Sequence, residues 1–226
     1  EDTDTTTTEP LYWKILLDEI DFENVGFALN MPQDSLFVRT MLPQTTLKDG
    51  VIDLKEASYY VKSFDMDNAE LAYGPKEELS LKKIGLQLDS IYYCGRDIRA
   101  NIEEFVFKER SGLELVSTEG RIASDSVLIQ IPKFTMKTTA SSLDLQTKIG
   151  WDVLEMKKTG VLSAKINAEI GKGDVAKILG GRDTLFLQTY PNKPFVFRAD
   201  AEGDLKRLRL RTLEAGLAKA FELKAK

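Results

Sequence analysis

The chain has 226 residues, 42% of them apolar, and a formal net charge of −5. This length suits one large β domain or two small ones. With no histidine and a single cysteine, the sequence excludes histidine-based catalysis, an internal disulfide and a thiolate metal cluster. Its acidic balance gives no overall attraction to nucleic acid or to an anionic membrane.

The first residues differ in composition from the rest of the chain. Residues 1–10, EDTDTTTTEP, are polar and of low complexity, which predicts a linker that ends at Pro10. From residue 11 onward, short runs of alternating apolar residues begin. Ile20 and Phe22 form one run and Val25 opens another after Asn24, so we predict two strands separated by a tight break.

The stretch from Gly50 to Tyr73, GVIDLKEASYYVKSFDMDNAELAY, has the clearest period-two alternation. Such spacing places the apolar side chains on one face of a pleated strand. Seventy residues later the pattern returns, which predicts an internal repeat near 50–73 and 120–145 inside a domain spanning 11–226. The first set is Gly50, Ile52, Val61, Phe64 and Met66, and the second is Gly120, Ile122, Ile131, Phe134 and Met136.

The middle of the chain alternates with occasional slips of phase. Ile84, Leu86 and Leu88 alternate cleanly, and the phase shifts by one residue before Ile91. A bulge or a tight turn produces such a slip. Pro132 ends another apolar run and predicts a bulge or an exposed edge.

The last third contains the clearest helix signal. Residues 173–180, GDVAKILG, predict a short helix with Asp174 as its N-cap or in its first turn, and with Gly180-Gly181 as its stop. Leu185 and Leu187 predict a further strand. Residues 213–226 fit a strand better than a helix because Gly216 would interrupt a helix.

About a dozen strands joined by short turns predict an antiparallel meander that is mainly β, with one short helix. A sheet with so little helix cannot leave its apolar face in water. It must pack onto a second sheet, close into a barrel, or curl round a ligand.

Candidate chemical groups all have a simpler structural explanation. Asp53, Asp65 and Asp67 alternate with apolar residues, which favours a solvated sheet face over a catalytic acid pair. The glycine turns at 171–174 and 179–183 lack the spacing of a nucleotide-binding loop. The cationic run LKRLRLR (205–211) fits a charged outer strand face. We therefore predict a protein that is not an enzyme and has no cofactor or metal.

Five long passages share a loose pattern of β-repeats. They are WKILLDEIDFENVGFAL (13–29), DGVIDLKEASYYVKSFDMDNAELAYG (49–74), LDSIYYCGRDIRANIEEFVFKERSGLEL (88–115), EGRIASDSVLIQIPKFTMKT (119–138) and INAEIGKGDVAKILG (166–180). Together they cover most of the chain from Trp13 onward. In order and length they resemble the AsmA-like superfamily, and within it the TamB-type translocation and assembly proteins of Gram-negative bacteria in a Bacteroidota-like form.

The resemblance implies a fold and a function. Antiparallel strands would curl into an elongated, open β-groove with an apolar interior. Members of the family are long periplasmic proteins with an N-terminal membrane anchor and an Omp85-type outer-membrane partner. They carry phospholipid between the inner and outer membranes and support outer-membrane protein assembly. We expect this chain to be an internal, soluble segment of such a protein.

The inward phase of the alternation selects residues that would line the groove and bind acyl chains. Some of them would instead form closed core, because apolar side chains at strand spacing are most often core. The alternative is a closed β-sandwich that serves as a structural or adhesion module and binds a protein or a glycan. The predicted lining residues are Ile52, Leu54, Phe64, Met66, Ile84, Leu86, Leu88, Ile122, Phe134, Met136, Leu143, Leu145 and Ile166.

Overall fold

The computed structural model describes residues 12–31, 33, 36–74, 78–156, 159–180, 182–218 and 220–225, so the predicted linker at 1–10 lies outside the described residues. The described strands form one open, curled antiparallel sheet in which strand order follows sequence order. The predicted fold class is therefore confirmed. The strands are β1 (Lys14–Met31), β2 (Leu36–Asp53), β3 (Ser58–Tyr73), β4 (Leu79–Cys94), β5 (Asp97–Glu109), β6 (Glu114–Ser124), β7 (Leu128–Thr138), β8 (Ser142–Gly150), β9 (Leu162–Ile170), β10 (Phe195–Gly203), β11 (Leu208–Leu217) and β12 (Phe221–Ala225).

Three short helices lie in the connections between strands. They are α1 (Trp151–Leu154), α2 (Lys172–Leu179) and α3 (Thr184–Thr189). Helix α2 is the predicted helix, with Asp174 in its first turn and Gly180 at its end in the left-handed conformation, at φ 56°. None of the described helices has the length and apolar character needed to cross a membrane.

The prediction of a single helix was wrong. Leu185 and Leu187 lie on helix α3, where a strand was predicted. The side chain of Asp183 accepts a hydrogen bond from the backbone N–H of Phe186 at 2.9 Å and so caps a helical turn. Leu185 is 73% exposed, because no neighbouring strand pairs with this segment. Alternation alone did not distinguish these two geometries.

The first strand is continuous where two strands were predicted. Asn24 adopts a left-handed backbone conformation, at φ 55°, inside β1, and the chain then continues along the same strand. A residue in this conformation shifts the alternation by one position without reversing the chain. The slip before Ile91 has the same origin, since Ser90 has φ 54°. Five residues inside strands β1 to β4 have this conformation: Asn24, Asp49, Asn68, Lys83 and Ser90.

Four of these residues fall on two lines that cross the strands. Asp49 on β2 and Ser90 on β4 each follow the residue that pairs with Ser63 of β3. Asn24 on β1 and Asn68 on β3 flank positions that pair with Gln44 of β2. We attribute the curl of the long strands to these two lines of bends.

A bulge also occurs at Pro132, as predicted. The pairing of β7 with β8 shifts between Ile131 and Phe134, so Pro132 lies where one ladder hydrogen bond is absent. Residues 213–217 and 221–225 are strand, with Gly216 inside β11 opposite Val196, as the sequence indicated.

The buried core of this sheet is thin. Each described strand packs against its sequence neighbours, and no two non-neighbouring strands pack extensively. Among the described residues no large side chain is completely buried. The buried apolar residues are Ala69, Ala72, Ile84, Leu115, Val153 and Tyr190. The described part of the chain therefore provides no second layer over either face of the sheet.

Candidate functional site

One register line crosses the whole sheet and contributes one residue from every strand. Eleven of its twelve residues are apolar and the twelfth is Gly120. Because neighbouring strands lie about 4.8 Å apart, the line is about 53 Å long. We call it the central row: Ile20, Leu47, Phe64, Leu88, Ile102, Gly120, Phe134, Leu145, Ile166, Ala199, Leu213 and Ala225.

A second row lies on the same face, two positions away on every strand except β5, where a bulge makes it three, and it is interrupted only between β5 and β6. It contains two threonines, and its other members are apolar. The second row consists of Phe22, Thr45, Met66, Leu86 and Phe105, and then Thr118, Met136, Leu143, Ala168, Phe197, Ala215 and Leu223. The central and second rows together form what we call the apolar face.

The opposite side of the sheet, the polar face, has a different composition. A line from β6 to β12 contains only polar and charged residues: Glu119, Thr135, Asp144, Asn167, Arg198, Glu214 and Lys224. Cross-strand ion pairs form there, as between Arg198 and Glu214 at 3.0 Å. One side of the sheet is therefore polar and well solvated, and the other side is apolar and poorly solvated.

Nearly all of the predicted lining residues lie on the apolar face. Leu54 does not lie on a strand. It belongs to the turn between β2 and β3, is 47% exposed, and donates its N–H to the carbonyl of Trp13. Phe64, Leu88, Phe134, Leu145 and Ile166 are in the central row, Met66, Leu86, Met136 and Leu143 are in the second row, and Ile52, Ile84 and Ile122 lie elsewhere on the same side.

Several residues of the central row were not predicted to line it. Ile20, Leu47, Ile102 and Leu213 lie in the row by register. Ile20 belongs to a run that was predicted as a strand but was not assigned to the lining. Leu47 lies three residues before Gly50, on the other side of the bend at Asp49, so simple alternation from Gly50 does not select it.

The two glycine-centred stretches share a face but not a register. Gly50 pairs with Val61, whereas Gly120 pairs with Phe134. Both hairpins nevertheless place a threonine opposite a methionine, as Thr45 opposite Met66 and Thr118 opposite Met136. The internal repeat stays a prediction.

The apolar face is only partly shielded. Most of the central row is half-buried, because each side chain contacts its cross-strand neighbours and presents its outer surface to solvent. Exposure increases toward the edge strands, where Phe22 and Leu223 are exposed. At the far end of β1, Phe27 is 54% exposed. So large a continuous apolar surface marks an interaction site in a soluble protein.

A buried carboxylate fastens helix α2 to the turn between β7 and β8. The hydroxyl of Ser141 donates to Asp174 Oδ2 at 2.6 Å, and the hydroxyl of Thr138 donates to the same oxygen. The ammonium of Lys177 lies 3.8 Å from Oδ1. Burial alone would raise the pKa of Asp174, but these hydrogen bonds and the Lys177 charge outweigh it and lower that pKa.

Helix α3 is fastened to the sheet through Tyr190, the residue that follows its last turn. The hydroxyl of Tyr190 donates to the carbonyl of Ile170 at 3.0 Å, and Lys172 donates to the carbonyl of Tyr190 at 2.9 Å. These contacts hold both helices at the end of β9. Neither helix covers the central row, and no other described element does.

A second polar cluster lies at the opposite ends of the strands. Arg96 forms an ion pair with Glu155 at 2.5 Å and lies over the ring of Trp151. The indole N–H of Trp151 donates to the carbonyl of Asp125 at 2.7 Å. The cluster anchors α1 and contains no free nucleophile.

The described residues contain no group of three His, Cys, Asp or Glu side chains arranged to hold a metal ion. Cys94 is half-buried and its thiol lies 3.4 Å from the carbonyl of Glu56. The chain matches no protein-family model, no curated protein and no solved structure. The arrangement of the site therefore has to carry any functional argument.

Proposed function

We propose that this chain is a segment of a periplasmic, lipid-conducting β-groove of the AsmA-like, TamB-type kind. Acyl chains of phospholipid would lie along the apolar face, and their head groups would stay in water at the open side. The central row, which is continuous across all twelve strands and which no other described element covers, is the observation that supports the proposal most directly.

Acyl chains would bind the apolar face because contact with it removes their methylenes from water. Each methylene that leaves water contributes about 0.8 kcal/mol, so a lipid tail binds such a surface without any specific contact. A row of about 53 Å exceeds the roughly 15 Å that one leaflet of a bilayer gives its acyl chains. Several lipids would fit in file along the row and move by exchange with their neighbours. The process requires no chemical step, so we propose that the protein is not an enzyme.

The wider setting follows from the sequence resemblance. In this proposal, the segment belongs to a longer protein anchored in the inner membrane, and phospholipid moves between the inner and outer membranes. Docking to an Omp85-type partner and support of outer-membrane protein assembly would belong to that longer protein.

The competing function, a closed sandwich module that binds a protein or a glycan, requires a facing sheet. The twelve described strands all belong to one sheet, and the described residues provide no second one. This observation favours the groove over the sandwich.

Photo-crosslinking tests the proposal with neighbouring residues as matched controls. A photoreactive amino acid would replace Leu88 or Leu145 on the apolar face, or Gln87 or Gln146, one position away on the polar face. After expression in the periplasm, we expect phospholipid adducts from the two leucine positions and few from the glutamine positions. Equal labelling of both faces, or none, would contradict the proposal.

A binding measurement complements the crosslinking. The folded chain should bind a fluorescent fatty acid, and native mass spectrometry should detect lipid that copurifies with it. A closed, dry core would bind neither.

A further inference from the structure

A second concave site lies at one end of the long strands, away from the central row. It is a pocket of about 1140 Å³ formed by the ends of β1 to β5 and the turn after β5. The pocket owes its space to small residues. Arg39 lies between Ala28 and Ala72 in register, and Ala72 pairs with Ser80 on its other side. Gly26 contributes a further position without a side chain.

Positive charge concentrates around this pocket. Arg39, Lys82, Lys83, Lys108 and Arg110 line it, together with two acidic residues, Glu70 and Glu109. Five cations against two anions give a local charge of +3 in a chain whose net charge is −5. The pocket lining is therefore positively charged, whereas the protein as a whole is negatively charged.

Two of the lining lysines occupy opposed positions on neighbouring strands. Lys82 on β4 pairs directly with Lys108 on β5. Like charges at directly opposed positions of an antiparallel pair destabilise the sheet. Lys108 has only a distant ion pair, with Glu114 at 3.9 Å. Lys82, Lys83 and Arg110 form no ion pair with the described residues.

The two acidic residues of the lining offset part of this charge. Glu109 interacts electrostatically with Arg110, and its carboxylate accepts the N–H of Ser111 at 2.6 Å. Neither Glu70 nor Glu109 forms an ion pair with Lys82 or Lys108. An anion from outside would relieve the repulsion between Lys82 and Lys108.

We propose that this pocket binds a phosphate group. Phosphate offers several strong acceptor oxygens and a charge that guanidinium and ammonium groups recognise. Phe27, Met41 and Leu71 also line the pocket and offer apolar contact to whatever the phosphate is attached to. A phospholipid head group and free phosphate share this chemistry. The proposal does not depend on lipid conduction along the apolar face.

The experiment compares two triple variants of the same charge. Lys82→Gln, Lys108→Gln and Arg110→Gln remove three pocket cations. Lys137→Gln, Lys148→Gln and Lys165→Gln remove three exposed cations elsewhere on the sheet. Isothermal titration at constant ionic strength would use inorganic phosphate, monomeric phosphatidylglycerol with six-carbon chains, and chloride as the control anion.

We expect saturable binding of one or both phosphate compounds to the wild-type chain. The pocket variant should lose at least about tenfold in affinity, and the control variant should change by less than about twofold. Binding of phosphatidylglycerol alone would identify a lipid head group as the ligand, and binding of phosphate by itself would identify a free anion. Either result supports the site.

Two results would overturn the proposal. One is the absence of saturable phosphate binding to the wild-type chain. The other is an equal loss in both variants, which would indicate a diffuse charge effect. A neutral hydrocarbon dye that reports on the apolar face should bind the pocket variant as it binds the wild type, so failure here is distinguishable from failure of the groove.

Discussion

The two ends of the sheet border the apolar face in different ways. We call strands β1 to β4 the bent region, and strands β8 to β10 with their helices the helix-bordered region. Strands β1 to β4 have 16 to 18 residues, and their bends lie inside the strands at residues with positive φ. Strands β8 to β10 have nine residues each, and among their described residues only Gly203, at the end of β10, has positive φ. Helices follow the short strands instead, with α1 before β9 and α2 after it.

One apolar surface is thus bordered in two different ways, by bent strands at one end and by short helices at the other. A long strand bends at single residues and keeps its ladder of hydrogen bonds. A short strand ends, and a helix fastened by a few polar contacts takes over the border. The first device depends on backbone conformation at single residues, and the second depends on side-chain contacts, so they should fail in different ways.

The largest expected effect is on the helix-bordered region. A Cβ atom added at Gly171 would lie 2.2 Å from the backbone carbonyl oxygen of Ala140, and neither atom can move freely. We expect Gly171→Ala to destabilise the protein by about 3 kcal/mol through this overlap. Urea unfolding monitored by circular dichroism measures the change.

Gly173 provides the matched control for that substitution. Its added Cβ would lie 3.4 Å from Ala140 Cβ, and alanine is a better helix former than glycine. Gly173→Ala should therefore leave stability unchanged or raise it by up to about 1 kcal/mol. Equal losses for the two variants would show that the close approach of α2 to the turn is unimportant.

The bent region should respond to backbone strain. Valine strongly disfavours positive φ, so Asn68→Val is expected to cost about 1–3 kcal/mol. Asn30, an exposed asparagine of β1 without positive φ, is the comparison, and Asn30→Val should change stability by less than about 0.5 kcal/mol. A similar effect at both sites would remove the link between Asn68 and the bend.

Asp174 makes the stability of the helix-bordered region depend on pH. Its lowered pKa means that the native state favours the carboxylate, so its stabilisation is present above the unfolded pKa of about 3.9 and is lost as pH falls through the folded pKa. We expect Asp174→Asn to cost about 1–2 kcal/mol at neutral pH. The gap to wild type should narrow below about pH 4.

Denaturant titrations at several pH values measure this gap. Asp144→Asn, at an exposed site on the polar face, should change stability by less than about 0.5 kcal/mol. A gap that stayed constant down to pH 2 would rule out the carboxylate of Asp174 as its source.

The smallest effects concern two buried threonines of the second row, one on β2 and one on β6. Thr45 and Thr118 are 2% and 3% exposed, and neither hydroxyl has a hydrogen-bond partner. Replacing each with valine removes an unpaired polar group and keeps the shape, so Thr45→Val and Thr118→Val should each stabilise by up to about 1 kcal/mol. Thermal unfolding provides the measurement, and a loss of stability in either variant would point to a missing hydrogen bond.

The sequence predicted the fold class and most of the apolar face because alternation is a direct consequence of strand geometry. It did not distinguish a bend from a break. At Asn24 the apolar phase slips in either case, and only the continued pairing with β2 shows that the strand goes on. Leu185 shows the complementary failure, since a helix cap at Asp183 overrides a strand-like pattern.

The positively charged pocket lined by Lys82 and Lys108 was not predicted from the sequence. Lys82 and Lys108 are 26 residues apart in sequence, and nothing in their spacing indicates that they are paired. Their juxtaposition depends on the register between β4 and β5, which the bend at Lys83 sets together with a bulge in β5. Such sites emerge from pairing and not from any local motif.

The meander also determines how the molecule would respond to mechanical load. Among the described residues, each strand is hydrogen-bonded only to the strands before and after it in the chain, as in proteins whose stability is a sum of nearest-neighbour terms. Force applied between the first and last strands would peel hairpins away one at a time, with no single clamp to break. In a force-extension trace we expect a series of small rips and no one large peak.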